Sequence, residues 1–118
     1  YRFRTPDSSW SERLDVGVTG THATAMTLDS EGNVWVFYGI RAEVKFRVLK
    51  NGEPAFGQVR CVTRIPDVRY MGSPWLAAAA ATRGRAGVMW MERPGEFWEV
   101  RFRTVVLEEQ SEDVDCAG

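Results

Sequence analysis

One short pattern, used three times, constrains this chain more than its size does. Tyr1-Arg2-Phe3-Arg4-Thr5, Val44-Lys45-Phe46-Arg47-Val48 and Val100-Arg101-Phe102-Arg103-Thr104 alternate uncharged and basic side chains around a shared Phe-Arg centre. A period of two marks a half-buried strand, because successive side chains leave a strand on opposite faces. The pattern predicts three ribbons whose apolar groups face a core. Their Arg and Lys groups face water and lay aliphatic stems on the sheet.

The segments between the ribbons correspond as well. A small and apolar run, His22 to Leu28, is followed by the turn Asp29-Ser30-Glu31-Gly32-Asn33 and by Val34-Trp35-Val36-Phe37-Tyr38, rich in aromatic and β-branched residues. Further along, Trp75 to Thr82 is the small run, Arg83-Gly84-Arg85-Ala86 the turn and Gly87-Val88-Met89-Trp90-Met91 the matching strand. Residues 39–43, and then Arg93-Pro94-Gly95-Glu96, turn into the second and third ribbons, and Pro-Gly presets such a turn. Asn51-Gly52 is a hairpin signal leading into a short strand near Gln58 to Val62. Alanine is the best helix former, yet Ala77 to Ala81 is too short for a stable helix alone. It is flanked by Pro74 and Arg83-Gly84 and matches the small run of the first unit, so it reads as a strand.

The expectation is an all-β chain of antiparallel four-stranded, propeller-like blades, about two of them, with a small β-sandwich or barrel as the alternative. Residues 1–107 form the repeat domain, with units at about 1–48 and 49–105, and 108–118 form a flexible tail carrying five acids. The 118 residues suffice for one cored domain. Fifteen Lys+Arg against sixteen Asp+Glu leave a net charge of −1, which removes the electrostatic case for nucleic acid or an anionic membrane. No apolar run has the length of a spanning helix. A chain opening at Tyr1 without Met fits a processed chain, a trimmed one or a piece of something longer.

Three stretches resemble the BNR-type, sialidase-like propeller family. Tyr1 to Glu12 resembles a third strand, Asp-box turn and fourth strand, with Thr5, Asp7 and Trp10 standing for the box's hydroxyl, acid and tryptophan. The box here is two residues short and lacks its glycine. Leu28-Asp29-Ser30-Glu31-Gly32-Asn33-Val34 is similar to the family's Asp-x-x-Gly-Asn hairpin, and Ser73-Pro74-Trp75-Leu76-Ala77 resembles its blade opening. The resemblance implies the blade logic. The family's enzymes use three arginines, a Tyr/Glu pair and an Asp acid spread over six blades, and none of these is placed on this chain.

No phosphate loop or Ser-His-Asp pattern is present, and His22 alone sits far from any metal-ligand spacing, so no catalytic residue, metal or cofactor is assigned. Five tryptophans are the functional lead, because sugar faces stack on such rings while neighbouring polar groups hold the hydroxyls. Trp75 at a strand start, Arg41 and Arg83 in turns, and Trp90 are the candidate ligand-binding residues. Cys61 and Cys116 are either a disulfide pair or two unrelated thiols. Two blades alone would leave Trp35, Phe37, Trp90 and Phe102 in water, and each large side chain left exposed forgoes about 1.5–3 kcal/mol. The chain is therefore expected to be a non-catalytic binding module for a carbohydrate or a protein surface. It would assemble with copies of itself or with the remainder of a larger propeller, in a secreted setting. A fragment of a sialidase-type glycoside hydrolase and a structural subunit of an extracellular assembly are the alternatives.

Overall fold

Seven strands and no helix form the regular structure of the described residues. The computed structural model describes residues 1, 2, 4, 7, 9–11, 13, 16, 23–40, 43–64, 76–82, 84–92 and 95–107, with the backbone alone for Ala23, Ile40 and Leu76–Thr82. β1 (Ala23–Leu28), β2 (Val34–Ile40), β3 (Glu43–Leu49) and β4 (Arg60–Arg64) form an antiparallel meander. β5 (Leu76–Thr82), β6 (Arg85–Glu92) and β7 (Glu99–Val106) form a second, three-stranded antiparallel sheet. Neither sheet closes on itself, so the described residues form no barrel. The alanine run is strand β5. Of the three ribbons, the second is β3 and the third is β7, each lying third in its sheet. Of the first, Arg4 makes an isolated antiparallel bridge with Trp10, and Phe3 and Thr5 lie outside the described residues.

The strand registers show how the two units correspond. Phe37 pairs with Phe46 in the first sheet, and Met89 pairs with Phe102 in the second. Val34 pairs with Leu49 as Ala86 pairs with Val105, and Ile40 with Glu43 as Glu92 with Glu99. Met89 thus stands where Phe37 stands, and Trp90 where Tyr38 stands. The sequence match of Gly87–Met91 with Val34–Tyr38 is one residue out. A slip of one residue moves every side chain to the opposite face.

Each sheet has a front and a back in this register. The front of the first sheet carries Trp35, Phe37, Val44, Phe46, Val48 and Val62, and these pack with Ala86, Val88 and Trp90 from the back of the second. Trp35, Phe37 and Phe46 lie with centroids 5.5–6.4 Å apart. The back of the first sheet forms a second cluster, Val34, Val36 and Leu49 with Phe56, against which Tyr1 and Val16 pack. Layers therefore succeed one another front to back: the amino-terminal segment, the first sheet, the second sheet.

The basic residues of the ribbons do not simply face water. Arg47 lies on the back of β3 and donates from Nη1 to the Val16 carbonyl at 2.5 Å and from Nε to the Gly57 carbonyl at 2.6 Å. Its counterpart in β7, Arg103, donates to the Val62 carbonyl at 2.6 Å. Each reaches a backbone carbonyl of the layer behind its own sheet. In β7 it is the apolar Val100 and Phe102 that stand in solvent. Arg101 and Arg103 are exposed as expected; what differs is that the apolar row of β7 lies on the front, whereas the packing on the first sheet is made by the back.

One buried carboxylate organises the β1–β2 turn. Asp29, 6% exposed, accepts the backbone N–H groups of Glu31 (2.9 Å) and Asn33 (3.1 Å) on Oδ1. Its Oδ2 accepts Asn33 Nδ2 and Trp35 Nε1, both at 2.9 Å. Asn33 Oδ1 then accepts the N–H of Asn51, tying this turn to the β3–β4 connection. Gly32 at φ 83° suits glycine, and a Cβ there would lie 2.9 Å from Asn51 Nδ2, so the Asn51 side chain would have to shift from the Glu31 carbonyl it donates to. Burial alone pushes the Asp29 carboxyl upward. The hydrogen bonds from Trp35, from Asn33 and from the Glu31 backbone outweigh it and hold the group below its ordinary value. Cys61, on β4, is disulfide-bonded, and no described cysteine is free. Cys116, the chain's other cysteine, lies outside the described residues.

Asp29→Ala strands four donors, two of them on buried side chains, and should cost about 2–4 kcal/mol in urea unfolding. Asp29→Asn should also destabilise, because each carboxylate oxygen accepts two N–H groups and the amide NH2 replacing one of them turns donors toward both. The depressed carboxyl contributes stability that is complete above the ordinary carboxylate range and lost as pH falls through its folded value. Acid titration of stability should therefore be shallower in Asp29→Asn than in the parent. Alkylation of the unreduced native chain should leave Cys61 unlabelled, with labelling appearing only after reduction; the chain-entropy account assigns a bridge over so long a loop about 4 kcal/mol.

Candidate functional site

The described surface offers two candidate sites, a mixed cleft and an apolar sheet face. The cleft, 360 Å³, opens where the β3–β4 connection passes the end of β7. Val48, Ala55 and Leu107 supply apolar wall, and Lys50, Glu53, Gln58 and Arg60 supply polar groups. Arg60 is already engaged: its guanidinium lies 4.9 Å from the Phe46 ring centroid, and Nη1 donates to the Val106 and Leu107 carbonyls at 3.1 and 3.0 Å. With Arg103 on the Val62 carbonyl, it clasps β4 to β7. Among the described residues, none of those lining the cleft is aromatic.

The other site is the front of the second sheet. Met89, Val100 and Phe102 are 43%, 64% and 64% exposed. Their register counterparts Phe37, Val44 and Phe46 are 0–1% exposed. Met91 continues the row opposite Val100, and Phe97 and Trp98, both exposed, stand in the β6–β7 connection. Apolar rows of this breadth on a folded surface mark contact with another molecule or another layer.

Of the residues expected to bind ligand, Trp90 belongs to the inter-sheet core. It is 6% exposed, and its indole N–H donates to Glu92 Oε1 at 3.2 Å, so it presents no ring face to a sugar. Glu92 in turn accepts Arg101 Nε at 3.2 Å. Trp75, Arg41 and Arg83 lie outside the described residues. Sequence reasoning named Phe102, with Trp35, Phe37 and Trp90, as a side chain needing a cover; Phe102 is exposed while Trp35, Phe37 and Trp90 are buried. It passed over Met89 and Val100. The signal that finds them is the pairing of β7 with β6, compared position by position with β3 and β2. In comparisons with known proteins, no family model, curated protein or solved structure matches this chain.

Arg103→Met removes the charged donor to Val62 and should lower stability by about 1–2 kcal/mol, measured by denaturant unfolding. The equivalent change at Arg47 should loosen the amino-terminal segment, read as faster amide exchange at Val16.

Proposed function

We propose that this chain is a non-catalytic, propeller-like binding module built of repeated sheet units, and that its ligand is a protein surface. The observation that carries this reading is the unequal treatment of equivalent positions. The row that the first sheet buries beneath its neighbour is offered to solvent by the second. Front-to-back succession suits blades better than a sandwich, whose outer faces are polar. The first sheet has its front covered by the second sheet and part of its back by the amino-terminal segment, as a member of a stack would. Asp7, whose Oδ1 accepts the N–H and hydroxyl of Ser9 between the bridged Arg4 and Trp10, supports an Asp-box-like turn there. The buried carboxylates support a non-catalytic reading, since Asp29 and Glu92 are both consumed in holding tryptophans. A protein ligand is favoured over a carbohydrate because the apolar front is broad, while the described lining of the cleft is aliphatic and polar.

At dilutions that keep the chain monomeric, an apolar fluorescent dye should bind it saturably, and the double variant Met89→Lys/Phe102→Arg should lose most of that signal while keeping its near-ultraviolet circular dichroism. A glycan array should stay blank and a fluorogenic sialoside should not turn over. Saturable glycan binding abolished by Lys50→Glu would move the ligand class to carbohydrate.

A further inference from the structure

The exposed apolar side chains are distributed with a polarity that the proposed module explains. Among the described residues, the large exposed apolar groups other than Val59 fall into two sets. Met89, Val100 and Phe102 lie on the front of the second sheet, with Phe97 and Trp98 in the turn beside it. Met26 and Leu28, 56% and 58% exposed, pair with Val36 and Val34 and so lie on the back of the first sheet. Trp10, 62% exposed with Arg4 5.7 Å from its centroid, belongs to the segment that covers part of that same back. The two sets occupy the two free ends of the stack.

Within the chain, a front meets a back. The front of the first sheet is buried on the back of the second, and Arg103 on that back reaches across to Val62. The back of the first sheet is only half covered: Tyr1, Val16 and Phe56 close over Val34, Val36 and Leu49, while Met26 and Leu28 on β1 stay bare. An exposed front and a half-covered back are the two halves of the same contact, separated at the ends of one molecule. The front rows of β6 and β7 from Gly87 to Met91 and Val100 to Thr104 carry no charge, so desolvating them strands no ion.

We propose that the chain associates head to tail with a second copy of itself. The Met89–Val100–Phe102 front of one copy covers the Met26–Leu28–Trp10 end of the next, continuing the front-to-back order seen inside the chain. This rests on the binding-module reading and names its partner. Such a contact is heterologous, so it propagates until a ring closes, whereas a face-to-face contact would stop at two copies.

Sedimentation velocity over a concentration series tests it. The parent chain should form species larger than a dimer. Phe102→Arg, a front variant, and Met26→Arg/Leu28→Arg, a back variant, should each be monomeric. Mixed in equal amounts, the two variants should form a dimer and nothing larger, because each retains the end the other has lost. All three substituted positions are more than half exposed, so folding should survive; Val100→Lys serves as a second front variant. A parent that stays monomeric at every concentration overturns the proposal. So does a back variant that dimerises alone, which would mean front-to-front pairing. Dye binding separates this failure from that of the module: a monomeric parent that still binds dye through Phe102 loses the self-partner and keeps the binding face. A parent that binds neither loses both.

Discussion

A sheet with apolar groups on both faces cannot stand alone in water, and that constraint governs this molecule. β2 is buried from Val34 to Gly39, with Trp35 and Phe37 on one side and Val34, Val36 and Tyr38 on the other. Burying each large side chain contributes about 1.5–3 kcal/mol, so losing either neighbour would be felt across the sheet. The first sheet is therefore a middle layer, held between the amino-terminal segment and the second sheet. Among the described residues, the second sheet, built to the same register, packs against a neighbour through its back.

Polar groups fix how the layers meet. Apolar faces slide, because dispersion and hydrophobic contact have little direction. Arginines with fixed donor geometry do have direction. Arg47 and Arg103 occupy equivalent positions and each finds a backbone carbonyl in the layer behind. Arg60 reaches the opposite way, from the front of the first sheet to the end of β7. Carboxylates do a parallel task inside each sheet. Asp29 holds the Trp35 indole and Glu92 the Trp90 indole, so each large ring enters the core with its N–H satisfied.

Much of the fold was legible in the residues. The strand of alanines followed from its length and flanking Pro74 and Arg83-Gly84, and β3 and β7 followed from their alternation. The turn at Asp29 to Asn33 followed from glycine and side chains that hydrogen-bond locally. The site was less legible. Alternation in Val100 to Thr104 shows two faces and does not say which is inside, since Phe102 and Arg103 each suit either role. Arg103 is exposed as its charge suggests, and Phe102 is exposed too, because the front of β7 faces away from the first sheet. Trp90 read as a ring available to a ligand because a tryptophan near a strand end has the same sequence appearance whether its face is open or packed.

The amino-acid sequence by itself determined that the chain is a set of short antiparallel strands in two matching units. Periodicity and turn chemistry are local properties, written in adjacent residues. Which face of each unit is covered was decided by the tertiary structure alone. A frame shift of one residue in pairing exchanges the faces, and only the packing of one sheet on another selects between them. That selection buries Phe37 and Phe46 and leaves Met89 and Phe102 in solvent.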